Sequence, residues 1–323
     1  MISSENKLNV QLVENKLNFP LFENIKVSTK TYTSNTNLNI NMDKLYKEIK
    51  KIYESNEENI KSIIPGLDKI NKIKKISDAL PIPSGTILRC KWRDEEVCVF
   101  DSQNSKANCG KKWFRNSMTI VLFLDKKINF KICKNGTFQF TGCKSFSHPE
   151  NCIKVIWNII KNNKKIYVFN RGDELNAYII PAMRNIDFSL GFFVDREKLA
   201  SYINSITSYN CMLETSFGYT GVNIKVPYHK KITEMVIKKI SSPDEGDINW
   251  QLTKVCYSDY LNILSKKEIE KKMNSVRYNT FLVFHSGRCI LSGLNSFFMK
   301  DAYLYFIDII EKCKDEIEEK LTI

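Results

Sequence analysis

An internal repeat constrains the fold of this 323-residue chain more than any other feature of its sequence. The segment 131–142 (KICKNGTFQFTG) aligns without a gap with 282–293 (LVFHSGRCILSG), which places the turn glycine Gly136 over Gly287. Each copy reads as strand, tight turn and strand, and Asn-Gly is a strong hairpin signal in the first. Each copy precedes a helical pattern. Strands followed by one helix, twice, predict an α+β duplication in which helices cover one face of an antiparallel sheet.

Hydrophobic periodicity predicts the other elements. Strands are predicted at 24–32, 86–92, 96–100, 119–124, 129–133, 137–141, 184–191 and 221–226, and around the second hairpin at 281–293. Helices are predicted at 42–53, 72–80 and 195–203, from a capping box at Ser147–Glu150, and at the end of the chain. Asn24 and Asn185 each open a strand as Asn-Ile, and so mark the starts of the two repeats.

These patterns predict three segments. Residues 1–19 form a polar N-terminal tail, residues 20–165 the first repeat and residues 166–323 the second repeat. Two stretches read as insertions, about 93–126 in the first repeat and about 227–278 in the second. Their Lys-, Ser-, Asn- and Glu-rich composition predicts surface decoration or partner contacts.

The charge favours a polyanionic partner. Lys and Arg number 49 against 36 acidic residues, a net charge of +13 with a pI near 9.1. A Lys-, Asn- and Ile-rich composition also follows from an A/T-rich genome, so charge alone does not decide between nucleic acid and a bland basic surface. The ten cysteines contain no CxxC pair, which predicts free thiols rather than zinc ribbons or a disulfide scaffold.

Other classes of function lack a sequence signature. No Ser/His/Asp set, paired carboxylates or phosphate loop is present, so we expect no enzymatic activity, no cofactor and no metal. The three histidines, His148, His229 and His285, are isolated and expected at the surface. Neither a signal peptide nor a membrane span is recognisable, which predicts a soluble intracellular protein without a membrane partner.

The two hairpins carry a family resemblance. NGTFQFTGCKS and FHSGRCILSGLNS resemble the end of each TATA-box-binding-protein repeat, where a Gly-turn hairpin ends in Thr-Gly before the long helix. The openings at Asn24 and Asn185 resemble the start of each repeat. The resemblance implies a saddle of tandem repeats: a curved antiparallel β-sheet with helices on its convex face, monomeric and with internal pseudo-two-fold symmetry. The Lys/Asn/Ile bias and the insertions resemble divergent versions in nucleocytoplasmic large DNA viruses.

The resemblance and strand parity together select candidate DNA-binding residues. Amides and hydroxyls can donate to the minor-groove acceptors of A·T pairs, and apolar side chains can wedge between base steps. The candidates on the sheet are Asn24, Asn185, Thr141, Ser292, Phe284, Tyr219, Ile290, Leu282 and Gln139. The candidates for phosphate contacts are Arg89, Lys131, Lys134, Lys225 and Arg288.

The predicted face departs from the family in two ways. The second repeat presents Tyr219 and Phe284 at the wedge positions, whereas the first presents only Pro83 and Cys133. Asp187 is predicted to point outward, where it would face a polyanion. Phe284 would instead be ordinary core packing if the strand parity were shifted by one position.

Three functions remain open at this stage. The first is a TATA-box-binding-protein-like initiation factor on A/T-rich double-stranded DNA, with RNA polymerase and a B-type initiation factor as partners. The resemblance then implies a viral factory in the host cytoplasm or nucleus, or packaging in the virion. The second is an interaction scaffold of the same fold with little or no DNA bending, which the weak first-repeat wedge and Asp187 favour. The third is an enzyme with an appended fold of this type, for which the repeats leave no room.

Overall fold

The computed structural model describes residues 19–63, 82–98, 116–214, 221–242 and 250–320. The chain divides into two compact units. The first-repeat unit comprises Val27–Asn185 and His229–Val276, and the second-repeat unit comprises the segment up to Lys26, Ile186–Tyr228 and the segment from Arg277 onward. Both units are therefore discontinuous in sequence, unlike the predicted division at residue 165.

Fifteen strands and six α-helices occur in the described residues. In chain order they are β1 Val27–Thr36, β2 Leu38–Ile40, α1 Met42–Ile63, β3 Thr86–Trp92, β4 Glu95–Cys98, β5 Ser117–Phe123, β6 Lys127–Cys133, β7 Thr137–Cys143, α2 Ser147–Ile160, β8 Tyr167–Phe169, β9 Leu175–Ser189, α3 Arg196–Ile206, β10 Asn210–Glu214, β11 Gly221–Pro227, β12 Val236–Ser242, β13 Gln251–Cys256, α4 Tyr257–Leu261, α5 Lys266–Met273, β14 Tyr278–Phe284, β15 Arg288–Gly293 and α6 Ser296–Ile317. Phe22–Asn24 and Ile232–Glu234 form 3-10 turns. No described helix is both long enough and apolar enough to cross a bilayer.

The first-repeat unit is built on an antiparallel sheet in the order β1-β7-β6-β5-β3-β4. Strict alternation along β6 and β7 buries one face, where the rings of Phe130, Phe138 and Phe140 lie 5.5–6.3 Å apart. Helices α1 and α2 contribute buried apolar side chains to the same core. The opposite face of this sheet is called the first outer face below.

The second-repeat unit has the strand order β10-β11-β14-β15, followed by the last residues of β9. Helix α6 packs on its buried face, where the rings of Phe281 and Phe306 stack with centroids 4.2 Å apart. The apolar stripe of this closing helix, from Phe298 to Cys313, is buried. The other face of this sheet is called the second outer face.

The repeated hairpin predicted from the sequence is confirmed in both of its strands. In the alignment that places Gly136 over Gly287, β14 begins and ends at the positions equivalent to the two ends of β6, and β15 begins where β7 begins. The two turn glycines share a left-handed backbone, with φ of +71° at Gly136 and +74° at Gly287. The α+β class with antiparallel sheets is thereby confirmed.

The N-terminal strand begins later than predicted. Asn24 lies in a 3-10 turn, where its backbone N–H donates to the Leu21 carbonyl at 2.9 Å. Phe22 packs against Tyr303 of α6, and the Tyr303 hydroxyl donates to the Pro20 carbonyl at 2.6 Å. Burial of Phe22 against the helix stabilises the turn, so the interpretation of Asn24 as a strand opener was wrong.

Both predicted insertions contain ordered structure that packs into the first-repeat unit. Strand β5 lies between β6 and β3, and its side chains Met118, Ile120 and Leu122 are fully buried, so this part of 93–126 is core rather than decoration. Within 227–278, β12 pairs with β13 and with β9, and Tyr260 of α4 is buried. The predicted helix at 72–80 and the N-terminal tail up to residue 18 lie outside the described residues.

Helix α2 begins at Ser147, but the predicted capping box is absent. No side-chain cap bond is made, and the Glu150 carboxylate instead lies 2.7 Å from Lys154 Nζ.

His148 was expected at the surface, but its side chain is buried, with 3% exposed. Its Nδ1 accepts the Lys144 N–H at 3.2 Å and its Nε2 lies 2.8 Å from Asp125 Oδ1. Since Nδ1 is an acceptor, Nε2 carries the proton and donates to the carboxylate. His148 therefore connects the start of α2 with Lys144, which follows β7, and with Asp125 between β5 and β6.

The described cysteines are free thiols, as predicted. Burial raises the pKa of Cys90 and of Cys143 to about 12, because a thiolate cannot be solvated in the core. These thiols stay protonated at neutral pH and act as small apolar side chains.

Candidate nucleic-acid interface

Strand parity on the second outer face agrees with the prediction. Phe281, Val283, Cys289 and Leu291 are buried, which leaves Leu282, Phe284, Ile290, Ser292 and Arg288 on the outer side. Phe284 ends β14 half-buried, directly opposite Gly221 of β11. Since Gly221 has no side chain, Leu282 lies over it, and a methyl group at Gly221 would come within 2.7 Å of Leu282 Cδ1.

Cross-strand register sorts this face into rows. Leu282 pairs with Asn223 on one side and with Ile290 on the other, which gives a largely apolar row. In the next row, Thr280 pairs with Lys225 and with Ser292, so this row is polar and carries a cation. An apolar row beside hydroxyl and ammonium donors suits a minor-groove surface with phosphates at its rim.

The first outer face has a different chemical character. At the positions equivalent to Leu282, Ile290 and Phe284 in the repeat alignment stand Lys131, Gln139 and Cys133. Lys131 pairs with Thr119 and Gln139, and Gln139 pairs with Thr33. In this row, the first unit therefore presents amide, hydroxyl and ammonium groups, whereas the second presents the apolar side chains of Leu282 and Ile290 beside Asn223.

Two predicted donors on the first outer face are already engaged. The Thr141 hydroxyl, on the outer side of β7, donates to the Asn129 carbonyl at 3.2 Å. Arg89 is ion-paired with Glu96 of β4, and Lys91 Nζ lies 3.4 Å from the same carboxylate. Burial opposes ionisation of Glu96, yet the hydrogen bond and charge of Arg89 hold its pKa below the ordinary value. Arg89 must leave this carboxylate to contact a phosphate.

Asn185 lies on the outer side of β9, because Ile186 and Phe188 are buried. Its backbone carbonyl accepts a hydrogen bond from the Ser28 hydroxyl at 3.2 Å. Its side-chain Oδ1 is buried without a hydrogen-bond partner among the described residues. Asp187 is exposed on the same side of β9, as predicted.

The first-repeat equivalent of Asn185 is Thr31 rather than Asn24. The Thr36 N–H donates to the Gly136 carbonyl, and in the second repeat the Leu190 N–H donates to the Gly287 carbonyl. Thr36 and Leu190 are therefore equivalent, and counting back equally from both along the strand aligns Thr31 with Asn185. The Asn-Ile pair that the two predicted strand openings share is coincidental.

Two cations near Asn185 were not among the residues predicted from the sequence. Lys30 and Arg184 are both half-buried; burial lowers the pKa of each, and the positive charge of Arg184 lowers the pKa of Lys30 further. Two like charges in this position are stabilised when an anion binds nearby. The sequence offers only a weak signal for this pair of cations, which is a lysine within β1 and an arginine directly before Asn185.

The remaining candidates are distributed as follows. Lys225 is half-buried on β11, Arg288 is exposed at the start of β15, and Lys134 is exposed in the β6–β7 turn. Pro83 is exposed just before β3. Tyr219 lies outside the described residues.

No protein-family model matches the chain. The chain is 29% identical over 226 residues, 65% of its own length and 65% of the relative, to "Uncharacterized protein 335L" of Invertebrate iridescent virus 6. It is 31% identical over 137 residues, 35% of its length and 37% of the relative, to "TATA-box-binding protein-like" of Acanthamoeba polyphaga mimivirus. The chain thus spans less than two thirds of either curated relative.

Among solved structures, "Methanococcus jannaschii TBP" matches with a TM-score of 0.43 and 14% identity, over 91% of this chain and 99% of that one. The predicted family resemblance is confirmed by the mimivirus relative: this chain is a divergent protein, similar to a viral protein named TATA-box-binding protein-like.

Proposed function

We propose that this protein is a TATA-box-binding-protein-like initiation factor that binds A/T-rich promoter DNA in the minor groove and recruits RNA polymerase, together with a B-type initiation factor. The second outer face is the observation that supports this proposal most directly. Leu282, Ile290 and Phe284 form an apolar surface there, and Lys225 and Arg288 lie beside it. Such a surface can press into a widened minor groove while the cations contact phosphates. The role is one of binding and not of catalysis.

Binding should depend steeply on salt. If Lys131, Lys134, Lys225 and Arg288 each neutralise a phosphate, log K against log salt should fall with a slope of roughly −3.6. Titrating a labelled A/T-rich duplex at several salt concentrations measures it, with a G·C-rich duplex of equal length as the comparison. A flat response, or no binding at low salt, would remove the DNA-binding function.

The Glu96 ion pair predicts a steeper slope in one variant. Glu96→Gln should release Arg89 from its ion pair and steepen the slope by about 0.9 when Arg89 contacts a phosphate. Glu95→Gln removes the same charge from the neighbouring exposed position and serves as the control. Equal slopes for the two variants would show that Arg89 does not reach DNA.

Asn185 should contribute to base selection. Its outward amide can donate to A·T acceptors, so Asn185→Ala should reduce the preference for A/T-rich over G·C-rich duplex by on the order of 1–3 kcal/mol. Asn24→Ala should leave the preference unchanged, because Asn24 lies in the turn before β1. Competition titrations with both duplexes measure the preference. An unchanged preference in folded Asn185→Ala would assign this residue a purely structural role.

A scaffold function is the second candidate. The exposed carboxylate of Asp187 and the small Cys133 at the wedge position both disfavour tight contact with a bent duplex. A protein that acts only as a scaffold would show no difference in affinity between A/T-rich and G·C-rich duplexes.

A further inference from the structure

A cleft of about 1040 Å³ opens in the first-repeat unit where β6 turns into β7. Buried Ile40 and Tyr167, paired between β2 and β8, contribute to its apolar floor. Cys133, Thr137 and Gln139 line the cleft and also belong to the first outer face. The cleft is therefore continuous with the proposed DNA-binding surface of this unit.

The rim of the cleft is rich in side-chain amides. They belong to Asn39, Asn41, Asn116, Asn135 and Gln139. Each amide NH2 can donate to a phosphate or sugar oxygen, which is the commonest kind of protein–DNA hydrogen bond and carries no sequence information.

The charge of the cleft is positive. Three cationic side chains line it, those of Arg93, Lys134 and Lys165, against one carboxylate, that of Asp43. Asp43 Oδ1 accepts a hydrogen bond from Trp92 Nε1 at 2.8 Å and lies 3.2 Å from Arg93 Nη1. Arg93 thus neutralises the carboxylate. Neither Lys134 nor Lys165 has an ion-pair partner in the part of the chain that the structure describes.

The turn that positions Arg93 is strained. Arg93 has a φ of 52°, and among the described non-glycine residues it alone has a positive φ. Its guanidinium lies 5.1 Å from the centre of the Trp92 ring and beside Asp43. A left-handed conformation is strained for a non-glycine residue and persists only where surrounding contacts fix it. Here the contacts with Trp92 and Asp43 keep the Arg93 guanidinium paired with the Asp43 carboxylate. The positive charges of Lys134 and Lys165 are therefore not compensated by that carboxylate.

We propose that this cleft binds the sugar–phosphate backbone of one DNA strand where the duplex runs past the end of the first outer face. The inference rests on the proposed DNA-binding function and adds to it a second mode of contact. The second-repeat unit has Phe284 at the end of β14, whereas the equivalent Cys133 opens onto the cleft. The second-repeat unit would therefore engage base steps, whereas the first-repeat unit would hold phosphates through Lys134, Lys165 and the amides.

The test compares two double variants of equal charge. Lys134→Ala/Lys165→Ala removes the cleft cations, and Lys47→Ala/Lys50→Ala removes two exposed lysines of α1. Loss of two phosphate contacts should make the salt slope shallower by about 1.8 and weaken binding about 30-fold at 0.15 M salt. The α1 variant should retain the slope, and Lys134→Arg/Lys165→Arg should restore it.

A second measurement locates the contact. Duplexes with uncharged methylphosphonate linkages at one end should bind the unaltered protein more weakly, but should cause no further loss in Lys134→Ala/Lys165→Ala. Normal A/T-rich binding with the slope unchanged in the cleft variant would overturn the cleft site and the phosphate contact of Lys134, but not DNA binding by the protein. Absence of duplex binding by the unaltered chain would overturn the proposed function together with it.

Discussion

A Phe284→Ala variant should lose most of the bend that the protein imposes on an A/T-rich duplex, whereas Cys133→Ala should leave the bend almost unchanged. Holding a base step unstacked costs a few kcal/mol and needs a rigid apolar side chain. Phe284 meets that need at the end of β14, and Cys133, at the same position of β6, is too small. We therefore expect one strong kink at the end bound by the second repeat and a smoother path at the other.

Energy transfer between dyes on the two duplex ends reports the angle. Cys133→Phe places an aromatic ring at the equivalent position and should add a second kink. Binding affinity and thermal unfolding of each variant, measured in parallel, separate a lost wedge from a damaged fold. Two equal kinks in the unaltered complex, or a bend insensitive to Phe284, would contradict the assignment of the wedge.

Gly136→Ala and Gly287→Ala should each destabilise the fold by about 2–5 kcal/mol. Both residues have a left-handed backbone, and a Cβ at either one would collide with a carbonyl oxygen, that of Leu38 or that of Phe192. Substitution therefore strains the turn and also displaces the chain that follows β1 or β9.

Gly142 provides the matched control. Its φ is +70°, and no atom lies within 4 Å of the position that a Cβ would occupy. Gly142→Ala should therefore cost only the left-handed conformation, about 1–2 kcal/mol. Urea unfolding measures the free energy of unfolding of the three variants. The comparison separates the cost of the left-handed conformation from the cost of the collision with the carbonyl oxygen. An equal loss at Gly136 and Gly142 would show that the carbonyl contact contributes nothing.

The sequence was most informative where contacts are local. Alternation in β6, β7, β14 and β15 predicted the correct inner and outer sides, because a hairpin fixes its own register through the turn. Phe284 and Leu282 were therefore placed on the outer side from the sequence alone. The roles of these residues on DNA remain predictions.

Errors arose where distant segments decide the structure. Residues 24–26 alternate like a strand, but the burial of Phe22 against Tyr303, far away in sequence, places Asn24 in a turn. The pairing of β1 with β7 joins segments far apart along the chain. The hydrogen bond from Thr36 to Gly136, which the sequence does not reveal, is the contact from which Thr31 aligns with Asn185. The Glu96 ion pair and the cleft similarly depend on how β4 and the β2–β8 pair are placed.

The discontinuity of both units has a consequence for the order of folding during synthesis. The sheet of the first-repeat unit can form once α2 has been made, although β12, β13 and α4 join that unit only later. The second-repeat unit requires β14, β15 and α6, and Pro20 and Phe22 find their partner Tyr303 only in that last helix. The segment around Pro20 and Phe22 therefore stays unpacked, with the Phe22 side chain exposed, until almost the whole chain has been translated. We expect that segment to be a chaperone-binding site on the nascent chain and the last part of the protein to become protected from proteolysis.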